Sequence, residues 1–261
     1  MSKIAVCYFS YYKDIDFLNN SLKVLQSTIE RHKDEHEVRV YVFDDGRCKK
    51  KIKKKELFGN PTLITTHFDR KGNLNGYECI EGMFNEYRKI LEKFDYDYLI
   101  KLDSDCVLNS LDYIYVAEKE LEKNKIPKQQ IGQMGSYFAS ICVCGCCQTF
   151  GKAGIFAVNN LFSFMNRGSN YQEKVMKKRV ELGYNEDKVV SVLLEMSPLI
   201  RININALPNI KGNCNTFQMP LDTDYTEYTS VAFKPNVFAD TCNWAREYCL
   251  ELMEKHVDDM T

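Results

Sequence analysis

"DYLIKLDSDCVLN", residues 97–109, decides how this chain is read. Tyr98 to Leu102 has the length and apolar character of a strand buried in a sheet, and it ends in two carboxylates one residue apart, Asp103 and Asp105. Ionised carboxylates drawn out of water need a positive partner. The same D-x-D spacing recurs at Asp95/Asp97 and Asp222/Asp224, but ahead of the strand and in a polar loop, where acids are ordinarily solvated. Asp103 and Asp105 are therefore the candidate ligands of a hard divalent cation, Mg2+ or Mn2+. Such an ion takes one or two protein carboxylates and completes its shell with water and substrate phosphate, which points to a diphosphate substrate.

Working outward, β-branched and aromatic runs at 4–9, 38–43 and 62–66 predict three more strands. Phe17, Leu18, Leu22, Leu25 and Ile29 recur at helical spacing over 16–31, as do Ile80, Met83, Phe84, Tyr87 and Ile90 over about 76–94. Asn75 and Glu78 form a capping-box pattern ahead of the second helix. Strands alternating with helices predict an α/β fold, a mostly parallel Rossmann-like sheet covered by helices on both faces, with ligands bound outside the carboxyl ends of its strands. The acidic turns "DDG" (44–46) and "DSD" (103–105) fall at such ends. Beyond residue 110 the pattern predicts a helix over 111–123, strand segments within 131–144 and 154–158, and helices near 159–166, 171–182 and 186–196. Strands at 199–204 and 230–233 and a helix over 238–257 follow. No repeat or low-complexity linker divides residues 1–261, which read as a single domain.

Lys plus Arg number 35 against 36 Asp plus Glu, a formal charge of −1 that excludes a general affinity for nucleic acid. The local exception is "RCKKKIKKKEL" (47–57), in which Arg47 to Lys55 is a candidate for peripheral contact with anionic membrane or an acidic acceptor. The first residues lack the order of a signal peptide, and the longest nearly apolar stretch, 137–147, falls short of the roughly 20 residues that cross a bilayer. With 11 scattered cysteines, an odd number, the expectation is reduced thiols in a cytoplasmic setting. Cys142, Cys144, Cys146 and Cys147 lack paired C-x-x-C spacing and a nearby histidine, and read as small apolar residues rather than a zinc site. His32, His36, His67 and His256 read as packing or surface residues.

The order of strand, "DDG", "NLNG" (73–76), long helix, "YLIKLDSD" and "NEDK" (185–188) resembles the nucleotide-sugar glycosyltransferases of the GT-A fold. The resemblance implies a metal-dependent hexosyl transfer from a UDP- or GDP-sugar donor to a glycan, lipid or protein acceptor. It implies a nucleotide-sugar-binding half over 1–110 and an acceptor-side half over 111–261. Asp103 and Asp105 would hold the metal, with Asp103 also near the donor. Asp44 or Asp45 would touch base or ribose, Ser10 and Tyr11 in "FSYY" (9–12) would flank the base, and Asn73, Asn75 and Gly76 would reach the nucleotide. "GKAGIFAVNNLF" (151–162) resembles the family's glycine-bearing acceptor segment. Asp187, then Glu186, matches the general base of inverting members. Many relatives carry a late histidine as a further metal ligand, whereas "SVAFKP" (230–235) offers none.

Two other readings stay open. "LDSDCV" also fits the D-x-D-x-V of haloacid dehalogenase-like phosphohydrolases, although that motif usually opens its domain. The absent histidine also fits a protein that binds nucleotide-sugars without turning them over.

Overall fold

The computed structural model describes the chain except for residues 71–74, 139–141, 144–146, 183–185, 217–218, 220–222 and 235–242, with backbone alone at Tyr137, Phe138, Cys142, Val143 and Asn243. Its elements run β1 (Ser2–Ser10), α1 (Ile15–Arg31), β2 (His36–Asp45), β3 (Thr62–Thr66), α2 (Gly76–Phe94), β4 (Tyr98–Asp103), β5 (Cys106–Leu108), α3 (Asp112–Lys123) and β6 (Ile131–Gly135). There follow β7 (Tyr137–Phe138), β8 (Cys142–Val143), β9 (Cys147–Gly151), α4 (Lys152–Arg167), α5 (Tyr171–Glu181), α6 (Glu186–Glu195), β10 (Ile200–Asn203), β11 (Lys211–Asn215), β12 (Tyr228–Ala232) and α7 (Asn243–Met260).

Seven strands form the main sheet in the order β10-β6-β9-β4-β1-β2-β3. β4, β1, β2 and β3 are mutually parallel, and β9 runs antiparallel between β4 and β6. Alternation along β1 explains why both faces are covered. Ile4, Val6 and Tyr8 pack with Leu18, Leu22 and Leu25 of α1 and Ile114 and Ala117 of α3, while Ala5 and Cys7 join Phe84 and Tyr87 of α2, Ile155 of α4 and Val190 of α6. A smaller sheet, β11-β12-β5, lies beneath α7, where Val107, Val231, Phe233, Met253 and Val257 pack together. Cys7, Cys79, Cys106, Cys147, Cys214 and Cys249 are buried among apolar neighbours.

Two local expectations are corrected. Residues 154–158 belong to α4, which begins at Lys152, and not to a strand. Gly151 and Gly154 make that placement possible. A Cβ on Gly154 would stand 2.1 Å from the Gly132 carbonyl oxygen, and one on Gly151 equally close to that of Ile131, so both glycines admit neighbouring backbone. Asn75 stands at the N-cap of α2 without a side-chain cap bond; a complete capping box occurs instead at α5, between Asn170 and Glu173.

Candidate active site

Register brings the acids to one edge. Phe9 pairs with both Phe43 and Asp103, and Ser10 with Asp44, so the carboxyl ends of β1, β2 and β4 are level. On β4, Leu99, Lys101 and Asp103 alternate onto the face covered by α2, α4 and α6, and Lys101 sits directly opposite Gln148 of β9. The start of α6 closes over this row. Lys101 is 3% exposed; its Nζ donates to Asp103 Oδ1 at 2.5 Å and lies 3.4 Å from Glu186 Oε1. Gln148 Nε2 reaches Asp187 Oδ1 at 3.4 Å.

A second lysine arrives from the far end of the chain. β12 pairs antiparallel with β5, setting Ala232 against Cys106, and Phe233 N–H donates to the Asp105 carbonyl at 2.8 Å. Lys234 is thereby held over the D-x-D turn, with Nζ 2.7 Å from Asp103 Oδ2 and 3.8 Å from Asp105 Oδ1. Burial alone would push Asp103 up, but the two lysines hold it well below the usual carboxylate range. Asp105 goes the other way, raised by burial against the pull of Lys234, with the charge of Asp103 adding to the rise. Asp187 is pushed up to about 7 by burial and by the neighbouring Glu186 charge.

The other predicted residues divide. Asp45 accepts hydrogen bonds from Arg47 N, Nε and Nη2 at 3.0–3.1 Å, so its carboxylate closes the turn after β2. Asp44 is 1% exposed and its Oδ1 has no partner, a buried acceptor left over at the crevice. Ser10 is buried with its carbonyl bonded to Arg70, whereas Tyr11 is 41% exposed. Asn73 lies outside the described residues, as do Asp222, Cys144 and Cys146. Asp95 pairs with Lys152, and Asp97 accepts from Lys3 N, which leaves neither acid at the crevice.

Sequence reasoning missed Lys101, Lys234 and Arg70. Arg70 donates to the Ser10 and Phe43 carbonyls and to Thr66 Oγ1, each at 2.7 Å, tying together the ends of β1, β2 and β3. The available signal was Lys101 itself, since a lysine within a buried strand requires a partner. In the basic run, Arg47 also pairs with Asp69 at 2.9 Å, Lys51 donates to the Asp45 carbonyl, and Lys50 lies over the Tyr12 ring at 3.5 Å. Three of the seven cations in that run are thus engaged within the fold.

The acid pair fits a hard cation. It offers carboxylate oxygens, and Asp105 Oδ1 is buried without a hydrogen-bond partner. Among the described residues, the group of three potential metal-binding side chains is a different one, His32, Glu35 and Asp112, beside the start of β2. Its histidine is already engaged at both ring nitrogens, by Glu35 at 3.0 Å and by Leu111 N–H at 3.4 Å. No helix of the described residues is long and apolar enough to cross a membrane.

No family model matches the chain, and no curated protein matches it in sequence. Among solved structures it is similar to the galactosyltransferase LgtC in complex with donor and acceptor sugar analogues, at 13% identity and a TM-score of 0.52 over 96% of this chain and 95% of that one. An active-site glutamine-to-glutamate mutant of LgtC gives 12%, 0.51 and the same coverage. A glycosyltransferase involved in glycosylation of the major capsid of PBCV-1 gives 11% identity and a TM-score of 0.49 over 97% of this chain and 98% of that one. At these identities the LgtC likeness shows the fold. The expected architecture, a GT-A-like, mostly parallel α/β sheet with helices on both faces, is the one present.

Proposed function

We propose that the chain is a glycosyltransferase that moves a hexose from a UDP- or GDP-linked sugar to a hydroxyl of a glycan, lipid or protein acceptor, with inversion at the anomeric carbon. The observation that carries this reading is the convergence of Asp103, Asp105 and Glu186 on two lysines, with Asp187 beside them on Gln148, at the carboxyl edge of a GT-A sheet.

Asp103 and Asp105 would hold Mg2+ or Mn2+, which when bound supplies positive charge against the departing nucleoside diphosphate. Glu186 is paired with Lys101, and its charge adds to burial in raising the proton affinity of Asp187. Asp187 is thus suited to act as base near neutral pH. It takes the acceptor's hydroxyl proton while that oxygen bonds the anomeric carbon. The carbon's bond to the diphosphate breaks, and its electron pair leaves with the nucleotide.

Because Asp187 must be ionised, kcat/KM should rise with pH through about 7. Asp187→Asn should lose turnover by about 100-fold or more, lose that pH dependence and still bind UDP or GDP. Glu186→Gln should be milder. Equal losses in the two variants, or lost nucleotide binding in Asp187→Asn, would assign these acids to structure. Turnover of a generic phosphatase substrate without use of any nucleotide-sugar would favour the phosphohydrolase reading; tight nucleotide binding with no release from any donor would favour binding alone.

A further inference from the structure

The two carboxylates of the D-x-D turn already have a cation between them, and it belongs to the chain. The lysines that meet Asp103 differ in kind. Lys101 is buried and held from two sides, by Asp103 Oδ1 and Glu186. Lys234 is 32% exposed and reaches the turn from the end of β12 on a flexible four-carbon stem. With Asp103 Oδ1 committed to Lys101, the oxygens left for a metal include Asp103 Oδ2 and Asp105 Oδ1, and the second has no hydrogen-bond partner. Lys234 Nζ stands 2.7 Å and 3.8 Å from these same two atoms. An ammonium and a divalent ion cannot share such a position, because like charges a few ångströms apart repel strongly where water is partly excluded.

We propose that Lys234 is an internal counter-cation of the acid pair, which a divalent metal has to displace before Asp103 and Asp105 can hold it. The inference rests on the metal-using reading of the site given above. It makes Lys234 the residue that sets how readily the nucleotide-free protein takes up metal.

The test is manganese binding to the nucleotide-free protein, followed by the paramagnetic resonance of unbound Mn2+ and by calorimetry. Wild type is compared with Lys234→Met and Lys234→Arg, and with Lys211→Met, which removes a charge paired to Glu227 on the smaller sheet. Lys234→Met should bind manganese more tightly by about tenfold or more, with the other two near wild type. Lys234→Gln serves in its place if thermal melting shows that the methionine impairs folding. Unchanged or weaker binding in the neutral variant overturns the proposal. Repeating the titration with UDP or GDP separates the two readings. If nucleotide allows wild type to bind manganese while the neutral variant is no tighter without it, the internal cation fails and the metal site stands. If no protein binds manganese under either condition, both fail.

Discussion

Lys101 shows how much a single buried charge organises. A lysine 3% exposed on a central strand is tolerated because two carboxylates meet it, one on its own strand and one from α6. Removing it would leave Glu186 without that partner and Asp103 with Lys234 alone. Lys101→Met should therefore lower stability by about 3 kcal/mol in urea denaturation, and adding Glu186→Gln should recover part of the loss. Asp187 carries the opposite kind of strain. The native state holds its proton up to about pH 7 while the unfolded chain releases it near 4, so stability falls as pH rises between those values. Asp187→Asn should be the more stable protein at pH 8, by up to about 3 kcal/mol, and no different at pH 3. Gaining stability while losing turnover is the pattern of a working residue, and a melting temperature equal to wild type at pH 8 would contradict it.

α4 is the element on which expectation and structure diverged. Residues 154–158, expected as a strand, are helical, and Gly151 and Gly154 at the start of α4 belong to the stretch that resembles a glycine-bearing acceptor segment. The glycines let the first turn of α4 and the end of β9 press against the β6 backbone, beside the Gly132 and Ile131 carbonyl oxygens. Gly154→Ala must push the helix off the sheet, at a cost of about 1–3 kcal/mol. Calorimetric nucleotide binding should be unchanged in the folded fraction, since α4 contributes no carboxylate to the crevice. A variant with wild-type stability and weakened acceptor use would favour a role for these glycines on the acceptor side.

Across the whole molecule, α7 closes the chain onto its beginning. It packs on α1, Arg246 pairs with Asp14 at 2.7 Å, and buried His256 lies 2.9 Å from Asn109 Oδ1 just after β5. Burial lowers His256 to about 4, against partial opposition from Asp259 and Asp224. The unfolded chain takes up that proton near pH 6.5, so stability is complete above this value and lost as pH falls toward 4, by up to about 3 kcal/mol. Because Asp187 acts in the opposite sense over the same range, the difference between the two proteins is the readout: the melting temperature of His256→Gln relative to wild type should rise as pH falls from 7 to 4. Parallel curves would mean that α7 is held independently of this histidine.

The sequence by itself determined the periodic features. The strand before Asp103, the helices over 15–31, 76–94 and 186–195, and the placing of both acidic turns at strand ends all follow from apolar spacing within a few residues, which local backbone geometry enforces. Only the tertiary structure decided that β9 runs antiparallel between β4 and β6, that Asp45 turns to Arg47 while Asp44 keeps a bare oxygen, and which acids receive a lysine. Lys101 and Glu186 are 85 residues apart, and Lys234 and Asp103 are 131. An ion pair between such distant positions leaves no period in the chain, because it depends on strand register and helix placement that arise only when the sheet is assembled.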